Sequence, residues 1–256
     1  MRRHCFQYIR YCFVLCTSVL SILYAVVVSA DPQYEEARLA FQKNQYEKAF
    51  SLFLKSAQNN NQNAFIRIAI LYQRGLGVTK NPQQAIYWYQ RSADAGNLTA
   101  KTYLADAYYA GVNIKQNIPL ALSYYRQAAD MGYAKAQFRL ATIYQTGIGL
   151  TRSYKNAIPW LIKAANQGHV EAMYNLGNLY EFGKGTEKNL KTAADWYKKA
   201  ADLQYPPALY RLALFYIDTN ATFSKNIDIA TQYLEIAAKK GHAEAKDLLD
   251  TIQKLQ

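Results

Sequence analysis

The chain has 256 residues, 51% of them hydrophobic and 19% charged, with 12 glycines and 6 prolines. That composition excludes a disordered, collagen-like or disulfide-framework chain and leaves a folded domain with ample apolar side chains for a core. The formal charge is +12 at pH 7, which favours acidic or anionic partners and carries no information about the fold.

The chain opens with MRRHCFQYIRYCFVLCTSVLSILYAVVVSA. Arg2, Arg3 and Arg10 give a positive start, and a largely apolar run follows from Tyr11 to Val28. Val28-Ser29-Ala30 then supplies small residues ahead of Asp31-Pro32. This is the layout of a secretory signal over 1–30, with the mature chain beginning at Asp31. The expected location is periplasmic or secreted, with no stable membrane span once the signal is cut. A retained anchor helix is the alternative, since the run is long enough to span a bilayer. The three cysteines, Cys5, Cys12 and Cys16, all lie in this leader, so the mature chain has neither a disulfide nor a cysteine-ligated metal. The leader holds three arginines and no acid, so removing it takes the charge from +12 to +9.

From residue 34 the sequence repeats itself. Residues 34–59 carry Ala37, Ala40, Asn44, Tyr46, Ala49, Phe53 and Ala57 at tetratricopeptide spacing. Later copies have a longer turn. Copies start at Ala49, Ala85, Ala121, Ala157, Ala193 and Ala230, spaced by 36 residues four times and then by 37. A period of this length means a repeat architecture. In each copy an aromatic follows (Phe53, Trp88, Tyr124, Trp160, Trp196, Tyr233), then an alanine eight residues after the first. That spacing predicts an apolar helical stripe. Gly96, Gly132, Gly168 and Gly241 read as the ends of these helices.

A second stripe follows: Ala100, Leu104, Ala105 and Tyr108; then Ala136, Leu140, Ala141 and Tyr144; then Ala172, Leu176, Gly177 and Tyr180. The small residue after each leucine allows close helix approach. Gly-x-Gly turns come next at 75–77, 147–149 and 183–185, followed by helix-capping Asn81, Asn117, Ser153, Asn189 and Asn226. The 208–229 copy departs, with Thr219-Asn220-Ala221 in place of Gly-x-Gly and Gln204-Tyr205-Pro206-Pro207 at its other turn; a bent or mis-stacked unit is expected there. The last helix, AEAKDLLDTIQKL, is polar on one side, as a terminal cap must be. The expectation is an all-α, right-handed α-solenoid of stacked antiparallel helix pairs over 31–256, a single array with a C-terminal cap helix.

These residues resemble the Sel-one-like repeat, the 36-residue branch of the tetratricopeptide superfamily. The pattern is Ala-x-x-x-Leu-Ala/Gly-x-x-Tyr-x-x-Gly-x-Gly followed by Ala-x-x-Trp-Tyr-x-x-Ala-Ala-x-x-Gly, and the resemblance covers about 34–256. It implies an exported, non-enzymatic scaffold for protein–protein interaction, in envelope maintenance or host contact. A glycan- or peptidoglycan-binding module is the first alternative. A hydrolase of the penicillin-binding or lactamase type is a minor one, because the cysteines of those relatives and a Ser-x-x-Lys motif are both missing.

Little in the sequence can carry chemistry. His169 and His242 occupy equivalent turn positions with no acid pair at ligand spacing, so no catalytic residue, cofactor or metal is expected. Two surfaces stand out. The first is a basic ridge ahead of the caps: Lys80, Lys115, Arg152, Lys188 and Lys225. It suits an acidic protein, anionic lipid or anionic envelope polymer, whereas no nucleic acid is expected for an exported chain. The second is the face of each second helix opposite its buried stripe, expected to line a concave wall. Its partner-binding candidates are Thr102, Asp106, Tyr109, Phe138, Gln145, Tyr174, Asn178, Glu181 and Tyr210. They mix aromatic with hydrogen-bonding groups, as protein or peptide interfaces do.

Overall fold

The structure, a computed structural model, describes residues 31–218 and 226–255. The leader, Lys225 and Thr219-Asn220-Ala221 lie outside them. Every regular element among the described residues is a helix. They run α1 (Pro32–Gln42), α2 (Tyr46–Gln58), α3 (Gln62–Arg74), α4 (Pro82–Asp94), α5 (Leu98–Ala110), α6 (Ile118–Asp130), α7 (Ala134–Thr146), α8 (Tyr154–Ala165), α9 (Val170–Phe182), α10 (Leu190–Asp202), α11 (Pro206–Ile217), α12 (Ile227–Lys239) and α13 (Ala243–Leu255). The chain divides after Ala100 into two compact units. In the first, α1 to α4 pack each on the next; in the second, α6 to α13 do the same. This is the neighbour-only packing of helical repeats.

The expected caps start the first helix of each pair. Asn81, Asn117, Ser153, Asn189 and Asn226 each accept a hydrogen bond from the backbone N–H three residues on, at 2.9–3.2 Å. Proline follows at once in α4 and one residue later in α6, where a missing N–H is harmless.

The buried stripe of these helices is offset from the sequence expectation. Trp88, Tyr124, Trp160, Trp196 and Tyr233 are only half-buried. The residues one place later, Tyr89, Tyr125, Leu161, Tyr197 and Leu234, are the buried ones. They stand four residues after the opening alanine, which puts them on its face. Phe53 belongs to this inner register and is buried too. Half-buried tryptophans instead carry cations on their rings: Lys163 over Trp160 at 4.2 Å and Lys199 over Trp196 at 3.8 Å.

The small residue beside each leucine of the second helices is where the next first helix closes in. At Gly177 an added Cβ would lie 2.4–2.8 Å from three atoms of the Tyr197 ring. Ala69, Ala105, Ala141 and Ala213 fill the equivalent places and are fully buried.

The unit expected to be bent keeps its first turn. Gln204 takes φ +57, the left-handed conformation that Gly96, Gly132, Gly168 and Gly241 adopt at the same repeat position. Nothing lies within 4 Å of a Cβ at those four glycines. The slot is therefore conformational, and a side chain fits it at the cost of backbone strain alone.

Gly177→Ala sets two terms against each other. Helix propensity favours alanine by about 1 kcal/mol, whereas overpacking against a tyrosine held at both ends costs about 1–3 kcal/mol. Net destabilisation of about 1–2 kcal/mol is expected in urea unfolding. A stabilised variant would show that the α9–α10 contact is looser than its geometry.

Candidate interaction surface

The outward face of the second helices is built from two kinds of side chain, which the sequence does not separate. The first kind is polar. A buried tyrosine on a first helix needs a partner for its hydroxyl, and the preceding second helix supplies one. Tyr89 donates to Gln73 Oε1 at 2.6 Å in the first unit. In the second, Tyr125 donates to Asp106 Oδ1 at 2.6 Å. The Tyr197 hydroxyl lies 2.6 Å from Glu181 Oε2 and 2.7 Å from Asn178 Oδ1. A phenol has one proton, and the charged acceptor holds it more strongly.

Each carboxylate also meets cations. Asp106 lies 3.2 Å from Arg139 Nε and 3.7 Å from Lys135 Nζ. Glu181 pairs with Arg211. Burial and the adjacent carboxylate push both the Tyr125 and Tyr197 phenols far above their ordinary value. Burial works against the Arg211 charge, but Glu181 outweighs it and raises its pKa.

Asp106, Asn178 and Glu181, expected to reach a partner, are thus engaged in joining one repeat to the next. Thr102, another expected contact, is 1% exposed and cannot meet a partner in this conformation. It is buried on α5 along with Leu104 and Ala105. Gln145 and Tyr109 are half-buried, and the Tyr109 ring meets Tyr125 edge-on at 6.4 Å.

The second kind is aromatic. Phe138, Tyr174 and Tyr210 are half-buried at one repeat position on α7, α9 and α11. Each meets a ring at the start of the following second helix. Phe138 stacks on His169 with centroids 4.4 Å apart, and Tyr210 stacks on His242 at 4.9 Å. Tyr174 meets Tyr205 at 5.6 Å and 65°, and Tyr197 also at 5.6 Å.

Sequence reasoning set the turn histidines aside for want of an acid pair, yet they are two of the three partner rings in this row. The missed signal was a capping position without a capping residue. Tyr133, His169 and Tyr205 stand at helix N-caps and make no side-chain cap bond, a place where Ser, Thr, Asp or Asn is preferred. His242 differs, its Nδ1 accepting from the Ala245 N–H at 3.3 Å, but the two histidines share another feature. His169 Nδ1 lies 3.1 Å from Glu171 Oε2 and His242 Nδ1 lies 3.3 Å from Glu244 Oε2.

On the basic ridge, Lys80, Arg152 and Lys188 are exposed and equivalent, with Cβ atoms facing Gly75, Gly147 and Gly183. Lys115 is exposed but stands one residue out of this register. The slot facing Gly111 is taken by Gln116, whose amide donates to the Tyr109 carbonyl at 2.9 Å. The cap at Asn117 fixes that count. Among the described residues no three His, Cys, Asp or Glu side chains gather as a metal site requires, and no helix is long and apolar enough to cross a membrane.

Helix pairs of which each repeat packs on the next define a helical repeat protein of the solenoid class. The Sel1 repeat profile matches residues 40–61, 66–97, 99–133, 134–169, 170–205 and 206–242, and the chain belongs to the Sel1 repeat family. Sel1 repeats generally mediate protein–protein interaction and are generally non-enzymatic. A protective antigen of uropathogenic Escherichia coli shares the fold with TM-score 0.83 and 28% identity over 91% of this chain and 51% of that structure. This chain therefore spans about half its length. A Sel1 repeat protein of Oxalobacter formigenes gives TM-score 0.80 and 27% identity over 86% of this chain and 89% of that one. An immunity protein of Pseudomonas aeruginosa shares the fold at TM-score 0.53 and 19% identity, covering 82% of each chain. Comparison with curated proteins gave no match.

The His169 stack carries a pH dependence. Burial pushes this imidazole below its ordinary value of 6.5, Glu171 pulls it back up, and Arg139 and Lys135 depress it further. The folded state then binds the proton less readily than the unfolded one, so acid favours unfolding. The contribution is complete above pH 6.5 and is lost as pH falls through the lowered value. Between pH 7.5 and 5, wild type should lose more melting temperature than His169→Gln. Parallel losses in the two proteins would remove His169 as the cause.

Proposed function

We propose that this protein is an exported, non-enzymatic scaffold that binds a segment of another protein along the face formed by α7, α9 and α11. One observation supports this most. An aromatic pair recurs in three successive repeats at half-exposed positions, Phe138 with His169, Tyr174 with Tyr205 and Tyr210 with His242. Ring rows of this kind give large, rigid contact area, and such residues dominate interface energetics. A sugar partner would need open ring faces, and Phe138 and Tyr210 each have one face occupied by a histidine. That favours protein over glycan.

Phe138→Ala and Tyr210→Ala each remove one ring of a pair. Each should weaken partner capture at least tenfold in crosslinking pull-downs from the native envelope, with a loss of about 2 kcal/mol at the interface. Melting temperatures should change by only a few degrees. Unchanged capture by variants that melt early would make the rings part of the core and remove this face from binding.

Export rests on the leader sequence, whose small-residue site precedes Asp31. Asp31 itself caps α1, accepting from the Gln33 N–H at 3.0 Å. Amino-terminal sequencing of the exported protein should begin at Asp31; a sequence beginning at Met1 supports a retained anchor.

A further inference from the structure

The turns that close the second helices of the second unit form a separate edge. They lie side by side. A Cβ at Gly149 would fall 2.2 Å from Ile118 at the start of α6, and one at Gly185 would fall 2.5–2.6 Å from Tyr154 and Lys155 at the start of α8. Each successive turn, or the residue just before it, presents a large apolar side chain: Val112, Ile148 and Phe182 are 56%, 48% and 55% exposed. Each also presents cations, namely Lys115, Arg152, and the pair Lys184 and Lys188, all exposed.

These cations are placed around rings. Arg152 and Lys184 approach the Tyr154 ring at 5.0 and 5.9 Å, and Lys184 and Arg211 approach Phe182 at 5.5 and 5.4 Å. The carboxylates that form ion pairs nearby are committed elsewhere, Asp106 to Lys135 and Arg139 and Glu181 to Arg211. Among the described residues, Arg152, Lys184 and Lys188 have no carboxylate partner.

Beside Phe182 the edge opens into a cavity of ≈ 440 Å³. Its apolar lining comes from Leu190, Leu214, Phe215 and Ile217, and its charged groups are balanced, Lys188 and Arg211 with Glu181 and Asp218, so the unpaired cations lie on the turns at its rim. The volume is within the usual range for a site that holds a ligand, ~300–1,000 Å³.

We propose that this edge binds an acidic protein segment. One large apolar side chain of that segment enters the cavity beside Phe182, and flanking carboxylates meet Lys188, Lys184 and Arg152. Charge complementarity with Arg152, Lys184 and Lys188 argues for the acids, in a chain whose net charge is +9 once the leader is removed. The cavity argues for a peptide over a lipid surface. An anionic bilayer matches the cations equally well but has no single side chain to fill an apolar pocket. Phe182 is the anchor, because a half-exposed aromatic ringed by cations gains most when a partner excludes water. This surface is on the turns and not on the ring row of α7, α9 and α11, so the two readings stand or fall separately.

The test uses fluorescence anisotropy with the purified chain and a labelled nine-residue peptide of Asp and Glu with one central Phe. A matched peptide carries Lys for each acid. Phosphatidylglycerol and phosphatidylcholine vesicles form the second arm. The acidic peptide should bind, the basic peptide should not, and added salt should weaken the complex. Phe182→Ala and the double variant Lys184→Glu with Lys188→Glu should each weaken binding at least tenfold with helicity unchanged, while Phe138→Ala leaves it intact. Lys184→Gln with Lys188→Gln serves if charge reversal prevents folding, and should weaken binding at least fivefold. Failure to bind the acidic peptide, binding unaffected by these variants, loss of binding in Phe138→Ala, or binding of phosphatidylglycerol vesicles in its place would each overturn the proposal.

Discussion

Successive helix pairs approach so closely that one side chain per repeat must be nearly absent. A Cβ at Gly177 would meet the Tyr197 ring at 2.4 Å. Alanine is the largest residue found at the equivalent places, and all four alanines are fully buried. Repeat stability is a sum of local terms and neighbour interfaces, so each interface has to be made well on its own. The alanine-rich composition follows from this. Small residues let helices close, and tyrosine, leucine and phenylalanine fill the space between them.

Burying a tyrosine brings a second constraint, because its hydroxyl cannot be left without a partner in an apolar interface. Tyr89, Tyr125 and Tyr197 each have an acceptor on the preceding second helix, Gln73, Asp106 and Glu181. Two of those acceptors are carboxylates, and a half-buried carboxylate in turn needs a cation. Arg139 and Arg211 supply it from the next second helix. Where the first helix carries Leu234 instead, the positions equivalent to the acceptors are Leu214 and Ile217. The polar chain and its apolar replacement are two self-consistent solutions to one packing problem.

The helices, their caps and the repeat period were legible in the sequence because each depends on local chemistry. An asparagine before a helix and a glycine after one have few other uses. What the sequence did not separate was the inner from the outer aromatic. Trp88 and Tyr89 are adjacent, and a helical stripe read to within one residue fits both; only the count of four from Ala85 selects Tyr89. The sequence was equally silent on the inter-repeat partners of the candidate face's polar members. Asp106 and Glu181 look like solvent-facing groups when one helix is considered alone. Their partners, Tyr125, Arg139, Tyr197 and Arg211, lie 16 to 33 residues away. Lys115 was read by proximity to a cap, whereas the register of Gly111 against Gln116 shows which side chain the turn requires.

The same register argument indicates where specificity can reside. A position that every interface needs, such as the small residue at 177 or the cap at 189, cannot change without loosening the stack. Recognition has to come from positions that stacking leaves free to differ. Positions 74, 110, 146 and 182 are Arg, Ala, Thr and Phe; no common packing role could accept all four. Positions 102, 138, 174 and 210 are Thr, Phe, Tyr and Tyr, and their fate depends on what the next turn places over them. The first set varies at exposed helix ends beside the turns, and the second on helix faces that are half-buried at Phe138, Tyr174 and Tyr210 and fully buried at Thr102. A partner can therefore read the turns without disturbing an interface, but reaches the helix rings only through contacts that also join repeats. That difference makes the turn edge the more independent surface, and couples binding on the ring face to the stability of the stack.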